Sequence, residues 1–374
     1  APILLPTMLQ NLIPLQPDLI VFHVYGGEGG GYEAILKTIR HTTTAEVVTI
    51  THHLDNYNEA KKQRRDNASI LRRELAQKYG CELVEVRHAW QSYLDMHSLD
   101  VVQLLADKIH HNAHGGELWG ALQARHFEVQ PADPINWQDT ISRIDTSETT
   151  QSMLGHLKYD EQEWIRDAQG LHTSKQGARL KVNFEGTRLD LISFEGEGIA
   201  EILVDGRKSS AMARTWAATQ PSKTPIDYRP AIRKVGLGAQ PVAETWTLTA
   251  DHISEDGQEF SYSLEGTVSG FQGRGDHTAA FVSNNGVIHL SPEHFTWDHA
   301  IKIKKKPIPV PAQTSWDVYA TSPDTWHCGG ASGSHPSGQV TLVQQLENRE
   351  HTVEIILRSG SISVSEVLIY KPAL

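Results

Sequence analysis

Apolar residues in the first third of the chain fall into two alternating patterns. Pro17-Asp-Leu-Ile-Val-Phe-His-Val-Tyr25 is a mostly apolar run rich in strand formers, and the glycine cluster Gly26 to Gly31 follows it. Tyr32, Ile35, Leu36 and Ile39 then recur at i, i+3, i+4 and i+7, the spacing of one helix face. Glu46-Val-Val-Thr-Ile-Thr51 reads as a second strand and Cys81-Glu-Leu-Val-Glu-Val86 as a third. Between them, Asn67 is placed to cap a helix with Ile70, Leu71, Leu75 and Tyr79 on one face, ended by Gly80. Leu118, Ala121 and Leu122 predict a further helix that closes the series near residue 126. Strands alternating with helices predict a parallel sheet covered on both faces. Ligands of such sheets bind at the carboxyl ends of the strands. The glycine cluster and the segments after Thr51 and Val86 therefore share one expected rim.

Beyond about residue 130 the helical period fades. Residues 131–155 read as a polar connector, and the remainder breaks into short alternating runs separated by Gly, Asn and Asp. Arg179-Leu-Lys-Val-Asn-Phe184, Leu189-Asp-Leu-Ile-Ser-Phe194, Ile199-Ala-Glu-Ile-Leu-Val204 and Thr352-Val-Glu-Ile-Ile-Leu357 are examples. Regular short strands with turn signals predict antiparallel sandwiches over 156–374, with 236–306 as a separate or inserted sandwich. Lys302, Lys304, Lys305 and Lys306, in an alternating segment, read as a strand with one wet face. Trp216, Trp246, Trp297, Trp316 and Trp326 are candidates for stacking on sugar rings, set against the commoner role of tryptophan in a core.

Composition narrows the classes. The 374 residues suffice for two or three domains, and 39% apolar with 21% charged content is that of a globular protein. A net charge of −11 argues against a general nucleic-acid binder, which needs a clustered basic surface. No apolar run approaches the roughly 20 residues that a membrane-spanning helix requires. Two cysteines, Cys81 and Cys328, form neither a disulfide framework nor a metal-ligand spacing, so the compartment stays open.

The most informative chemistry lies in Asp107-x-x-His110-x-Asn112-x-x-Gly115, which runs straight into the last predicted helix. This block resembles the final conserved block of the SGNH (GDSL-like) hydrolases. In that family the histidine is the general base and the aspartate three residues earlier orients it. Those roles suit the chemistry: an imidazole takes the proton of a weakly nucleophilic serine, and a carboxylate on its other nitrogen fixes the tautomer. The resemblance implies a flavodoxin-like α/β domain over residues 1–130, with His110 as base and Asp107 as its partner. Asn112 would cap the helix. A metal reading of His110 and His114, completed by His52 or His53, competes, but Gly115 and Gly116 disfavour a regular helical pair there. No cofactor is expected.

The chain departs from the family in two places. The run ending in Gly26, Gly27 and Glu28 resembles the family's third block, yet Gly27 or Glu28 stands where an oxyanion-donating Asn belongs. Main-chain N–H groups of the glycine cluster could replace that donor; a plain flexible turn is the alternative. With His53 these residues make the expected oxyanion and substrate rim. The Gly-Asp-Ser block is not found. Ser334, in Gly329-Gly-Ala-Ser-Gly-Ser-His335, reads as a loop residue rather than a substitute. The family's first strand is central to its sheet, so an unfilled gap there would be costly. The expectation is that a missing N-terminal segment, or another chain, completes the sheet and supplies the serine.

The leading functional expectation is a serine-type hydrolase of acyl esters, notably acetyl esters, of carbohydrate. The substrate class rests on the resemblance and on appended modules of jelly-roll type. The alternative is a non-catalytic glycan-binding or assembly protein built on a degenerate hydrolase scaffold. A polymeric glycan substrate would place the protein outside the cell or in the periplasm.

Overall fold

The computed structural model describes residues 4–24, 30–127, 140–329 and 338–374. They divide into two compact units: Pro17–Asp139 with the C-terminal pair Ala373–Leu374, and Thr140–Pro372 with residues 3–16. Residues 3–16, which include helix α1 (Leu4–Asn11), thus lie with the β-rich unit rather than with the α/β series. Gln10 fastens this segment there, donating to Thr219 O (2.8 Å) and accepting from Val235 N (2.7 Å).

The first unit is a three-stranded parallel sheet with helical crossovers. In chain order it runs β1 (Leu19–Phe22), α2 (Gly30–Thr42), β2 (Glu46–Ile50), α3 (Glu59–Tyr79), β3 (Glu82–Val84), α4 (Val86–His97) and α5 (Ala113–His126). The strand order is β1-β2-β3, with Ile20 beside Val47 and Thr49 beside Leu83. Central β2 buries Val47, Val48, Thr49 and Ile50 in succession, as a strand covered on both faces must. Tyr32, Ile35, Leu36 and Ile39 of α2 are all buried, so the period of 3.6 marks a real core face. Val48, Ile50, Val84, Val86, Trp90, Leu94 and Leu104 form a core cluster against which Leu118, Trp119 and Leu122 pack.

Helix α3 corrects the sequence reading. It begins eight residues before Asn67, capped by Asn58, whose side chain accepts from Lys61 N. Its first two turns are polar helix formers with no apolar repeat to betray them. The buried face is Ala68, Ser69, Arg72, Leu75 and Ala76, while Ile70 is exposed. Gly80 does end the helix, in the left-handed conformation.

The second unit holds two hydrophobic cores. One lies within a five-stranded antiparallel sheet, whose strands are ordered Thr325–His327, Ile199–Val204, Arg349–Ser359, Arg179–Gly186, Leu157–Tyr159, and a four-stranded sheet containing Arg188–Ile192 and Glu366–Tyr370. Arg179–Gly186 alternates buried and less buried residues throughout, the mark of a strand with one core face. The other core belongs to strands between Trp216 and Ala320. These lie in sequence between two strands that pair with each other, since Ile199 faces His327. The strands of the second core therefore lie, in sequence, within those of the first.

Two further readings change. The lysine-rich segment is not a strand: Trp297–Lys304 is a helix with Trp297 and Ala300 buried, and Lys302 and Lys304 in its last turn suit the negative end of the helix dipole. Trp246, Trp297, Trp316 and Trp326 are core residues, so none presents a ring face to a ligand. Trp216 is half-buried and donates its indole N–H to Ser210 O (3.1 Å). Cys81 and Cys328 are both free. Among the described residues no helix is long and apolar enough to cross a membrane.

Candidate functional site

A short loop between Leu104 and α5 carries Asp107 and His110. It is closed by an antiparallel bridge between Leu105 and His111, by Ala106 N donating to His110 O (2.7 Å), and by Asn112 N donating to Leu104 O (3.1 Å). Inside it, Oδ1 of Asp107 accepts the backbone N–H groups of Ile109 and His110, both at 2.7 Å. The other carboxylate oxygen, Oδ2, meets Nδ1 of His110 at 2.7 Å. One side chain thus winds the turn and orients the ring.

The tautomer follows. A carboxylate only accepts, so Nδ1 carries the proton and Nε2 presents its lone pair. No partner of Nε2 exists among the described residues, and the His110 side chain is 79% exposed. The His110 side chain, then the two backbone N–H groups, hold the Asp107 carboxyl down to about 2, so it stays ionised across the working range. The arrangement can accept a proton at Nε2 and stabilise the resulting imidazolium.

Helix α5 anchors the loop from its other end. Asn112 accepts from Gly115 N (2.9 Å) and donates its amide to Gln103 O (2.7 Å). Gly115 permits the close approach: a Cβ there would stand 2.1 Å from Leu104 O and 3.3 Å from the Trp90 ring. The Asn and Gly of the motif therefore set the loop that presents Asp107 and His110.

Beneath the loop lies the carboxyl end of the parallel sheet. His23 follows β1, His52 and His53 follow β2, and His111 joins them with Trp90 and Trp119. The His53 and His111 rings are 4.2 Å apart, and His23 lies 5.9 Å from His52. Burial, then the Arg72 guanidinium, brings His23 down to about 3. Burial likewise brings His53 down to about 4 and lowers His111. His23, His53 and His111 are therefore neutral at pH 7. Among the described residues no three His, Cys, Asp or Glu side chains are placed to hold a metal ion, and His114 instead meets the Tyr93 hydroxyl through Nε2 at 2.7 Å.

His53, expected at the open rim, is 4% exposed, and its Nε2 faces Ile109 O at 2.8 Å. Gly26, Gly27, Glu28 and Ser334 lie outside the described residues. Two arginines that support the rim gave no sequence signal. Arg72, 1% exposed on α3, donates to Ile50 O (2.5 Å) and to Val24 O, tying together the ends of β1 and β2. Arg87, at the start of α4, donates to His53 O (3.0 Å) and pairs with Asp66. Hydrophobic patterning passes over such residues, because their burial depends on carbonyls distant in sequence.

No family model and no curated protein matches the chain. Among solved structures it is similar to an α/β hydrolase from the metagenome of Lake Arreo, Spain, at 23% identity and a TM-score of 0.27, over 30% of this chain. The matched part spans 61% of that hydrolase. A two-domain esterase active on acetylated mannans, co-crystallised with mannopentaose, is similar at 12% identity and a TM-score of 0.24, over 96% of this chain and 74% of the esterase. The capsular polysaccharide assembling protein of Staphylococcus aureus is similar at 9% identity and a TM-score of 0.19, over 92% and 84%. Likeness this slight assigns no role to any residue above.

Proposed function

We propose that this chain belongs to a serine-type ester hydrolase with an SGNH-like α/β domain, acting on acetyl or related acyl esters of carbohydrate. The observation that carries the reading is the Asp107–His110 couple, held at 2.7 Å with Nε2 unengaged among the described residues. It stands over the carboxyl end of a parallel sheet, where open α/β sheets place their ligands. In the proposed reaction Nε2 of His110 takes the proton of a serine hydroxyl as its oxygen attacks the ester carbonyl. Asp107 stabilises the imidazolium, which then protonates the departing sugar oxygen. Water, deprotonated by the same nitrogen, releases the acid. Main-chain N–H groups at Gly26 and Gly27, beside Glu28, are the proposed oxyanion donors. Carbohydrate as the alcohol rests on the resemblance of the Asp-His block and on the β-rich unit.

No serine hydroxyl bonds to His110 among the described residues. The test is therefore labelling of the naturally occurring protein with a fluorophosphonate, followed by peptide mapping and assay of acetate release from an O-acetylated polysaccharide. A labelled serine together with acetate release, both lost in His110→Ala, is the expected result. A folded protein that neither labels nor releases acetate overturns the reading in favour of a non-catalytic glycan-binding or assembly role.

A further inference from the structure

We infer that His53 is a positioning residue for the Asp107–His110 couple, holding the turn through an N–H donated to the Ile109 carbonyl. The inference rests on the hydrolase reading for its catalytic consequence, although the geometry stands by itself. A carbonyl oxygen only accepts, so at 2.8 Å the His53 Nε2 must be the donor. Ile109 lies between the two members of the couple. The carbonyl before it is held as well, because Asn56 N donates to Lys108 O at 2.9 Å. The loop after β2 therefore grips two consecutive peptides of the turn.

The grip is itself braced. Arg87 donates to the His53 carbonyl (3.0 Å) and to Asp66 on α3 (2.5 Å), while its own N–H reaches Thr51 Oγ1 (3.0 Å). Trp90, His111 and Trp119, with centroids 5.3, 4.2 and 5.7 Å away, confine the His53 ring. The titratable groups around it are Arg87, Asp55, His23, His52 and His111. Burial keeps the ring neutral down to about pH 4, so a single tautomer can serve as donor throughout the working range.

What makes this matter is the exposure of the reactive pair. His110 and Asp107 are 79% and 54% exposed, so side-chain packing does little to hold them. Their geometry depends on the backbone of the turn, and the turn is held from beneath. A misplacement of about 1 Å far from the reacting atoms can cost on the order of 100-fold in rate.

The experiment reads the His110 ring by nitrogen-detected NMR in the intact protein, its signals assigned by comparison with His110→Ala. Wild type should show the Nδ1–H tautomer. His53→Gln, which places an amide N–H near the same point, should keep that tautomer. His53→Leu should give a mixture of the two His110 tautomers. With an acetyl ester, kcat should fall about 10- to 100-fold in His53→Leu, KM should stay within about twofold, and His53→Gln should recover most of the loss. If His53→Leu does not fold, His53→Asn, whose shorter donor cannot reach Ile109, carries the same test. An unchanged His110 tautomer in the folded Leu or Asn variant overturns the inference. So does a kcat loss that Gln fails to recover. Because the NMR reading needs no turnover, an inactive protein would sink the hydrolase reading while leaving the positioning result intact.

Discussion

Two of the aspartate–histidine pairs among the described residues look alike by distance and differ in what their second ring nitrogen can do. In the α/β unit, His110 gives Nδ1 to Asp107 at 2.7 Å and leaves Nε2 open. In the β-rich unit, His351 meets Asp205 through Nδ1 at 2.9 Å, but its Nε2 meets the Glu347 carbonyl, also at 2.9 Å. The His351 side chain is 2% exposed. Asp205 also accepts from Thr352 N (2.9 Å), so this pair pins a turn to the start of a long strand. An imidazole acts as a base only through a nitrogen with an available lone pair, and both nitrogens of His351 are taken. Proximity to a carboxylate is therefore a poor marker of catalysis; the state of the second nitrogen decides.

The largest expected effect separates the pairs by removing each histidine. His110→Ala should lower kcat/KM by about 10³-fold or more and leave the melting temperature near wild type. His351→Ala should leave turnover intact and cost on the order of 1–3 kcal/mol in stability, through donors lost to Asp205 and Glu347. Ester assays and thermal melts on the same two preparations check both. Activity lost with His351 in a folded protein would break the comparison.

A sharper version keeps the histidines and changes the carboxylates. In Asp107→Asn an amide can donate to Nδ1, which favours the opposite tautomer and turns the N–H toward the substrate. The expected fall in kcat is about 10²- to 10⁴-fold. Asp205→Asn should change only the melt. If Asp107→Asn retains full kcat, the couple is a turn-winding device like its counterpart and the base lies elsewhere.

How much of this could be read beforehand depends on the range of the interactions. β1 and β2 announced themselves as short apolar runs, and the strands near residues 179–204 and 352–370 by their alternation of buried and less buried positions. The spacing of Asp107 and His110 made that pair nameable because three residues lie within one turn. The contact of His53 with Ile109 spans 56 positions, and no local pattern encodes it. The early start of α3 was hidden because Glu59–Asp66 has no apolar face, and the helix ending at Lys304 because Ile301-Lys-Ile-Lys mimics a strand. Proximity in space, rather than composition, set those outcomes.

The next effect tests whether the exposed pair depends on its loop. Gly115→Ala must displace the Leu104 carbonyl or the helix, at an expected cost of roughly 1–3 kcal/mol. Gly120→Ala, on the same helix with nothing within 4 Å of its Cβ position, should stabilise by about 0.5–1 kcal/mol. Chemical denaturation of both variants measures the difference. Equal stabilities would mean that α5 shifts freely against Leu104, and the loop would then be a weak frame for His110.

The smallest expected effect concerns pH, and it separates the units rather than the pairs. His23 and His53 are buried neutral in the α/β unit, at about 3 and about 4. Unfolded, each binds a proton near pH 6.5, so between pH 6.5 and 4 the unfolded chain holds more protons than the folded one. Stability is then complete above about pH 6.5 and falls as the solution is acidified through this window. Asp107 acts lower down: its carboxyl, at about 2 when folded, contributes stability that is lost only as pH falls from the unfolded value near 4 toward 2. Hydrogen exchange at pH 7.5 and pH 5 should therefore show protection falling in β1, β2 and α3 more than in Arg179–Gly186 or Arg349–Ser359. His53→Gln should flatten part of that acid response without altering the β-rich unit. A uniform loss of protection across both units would show that acid acts on something they share. The buried imidazoles would then be well-packed rings rather than the feature that makes the α/β unit the acid-sensitive one.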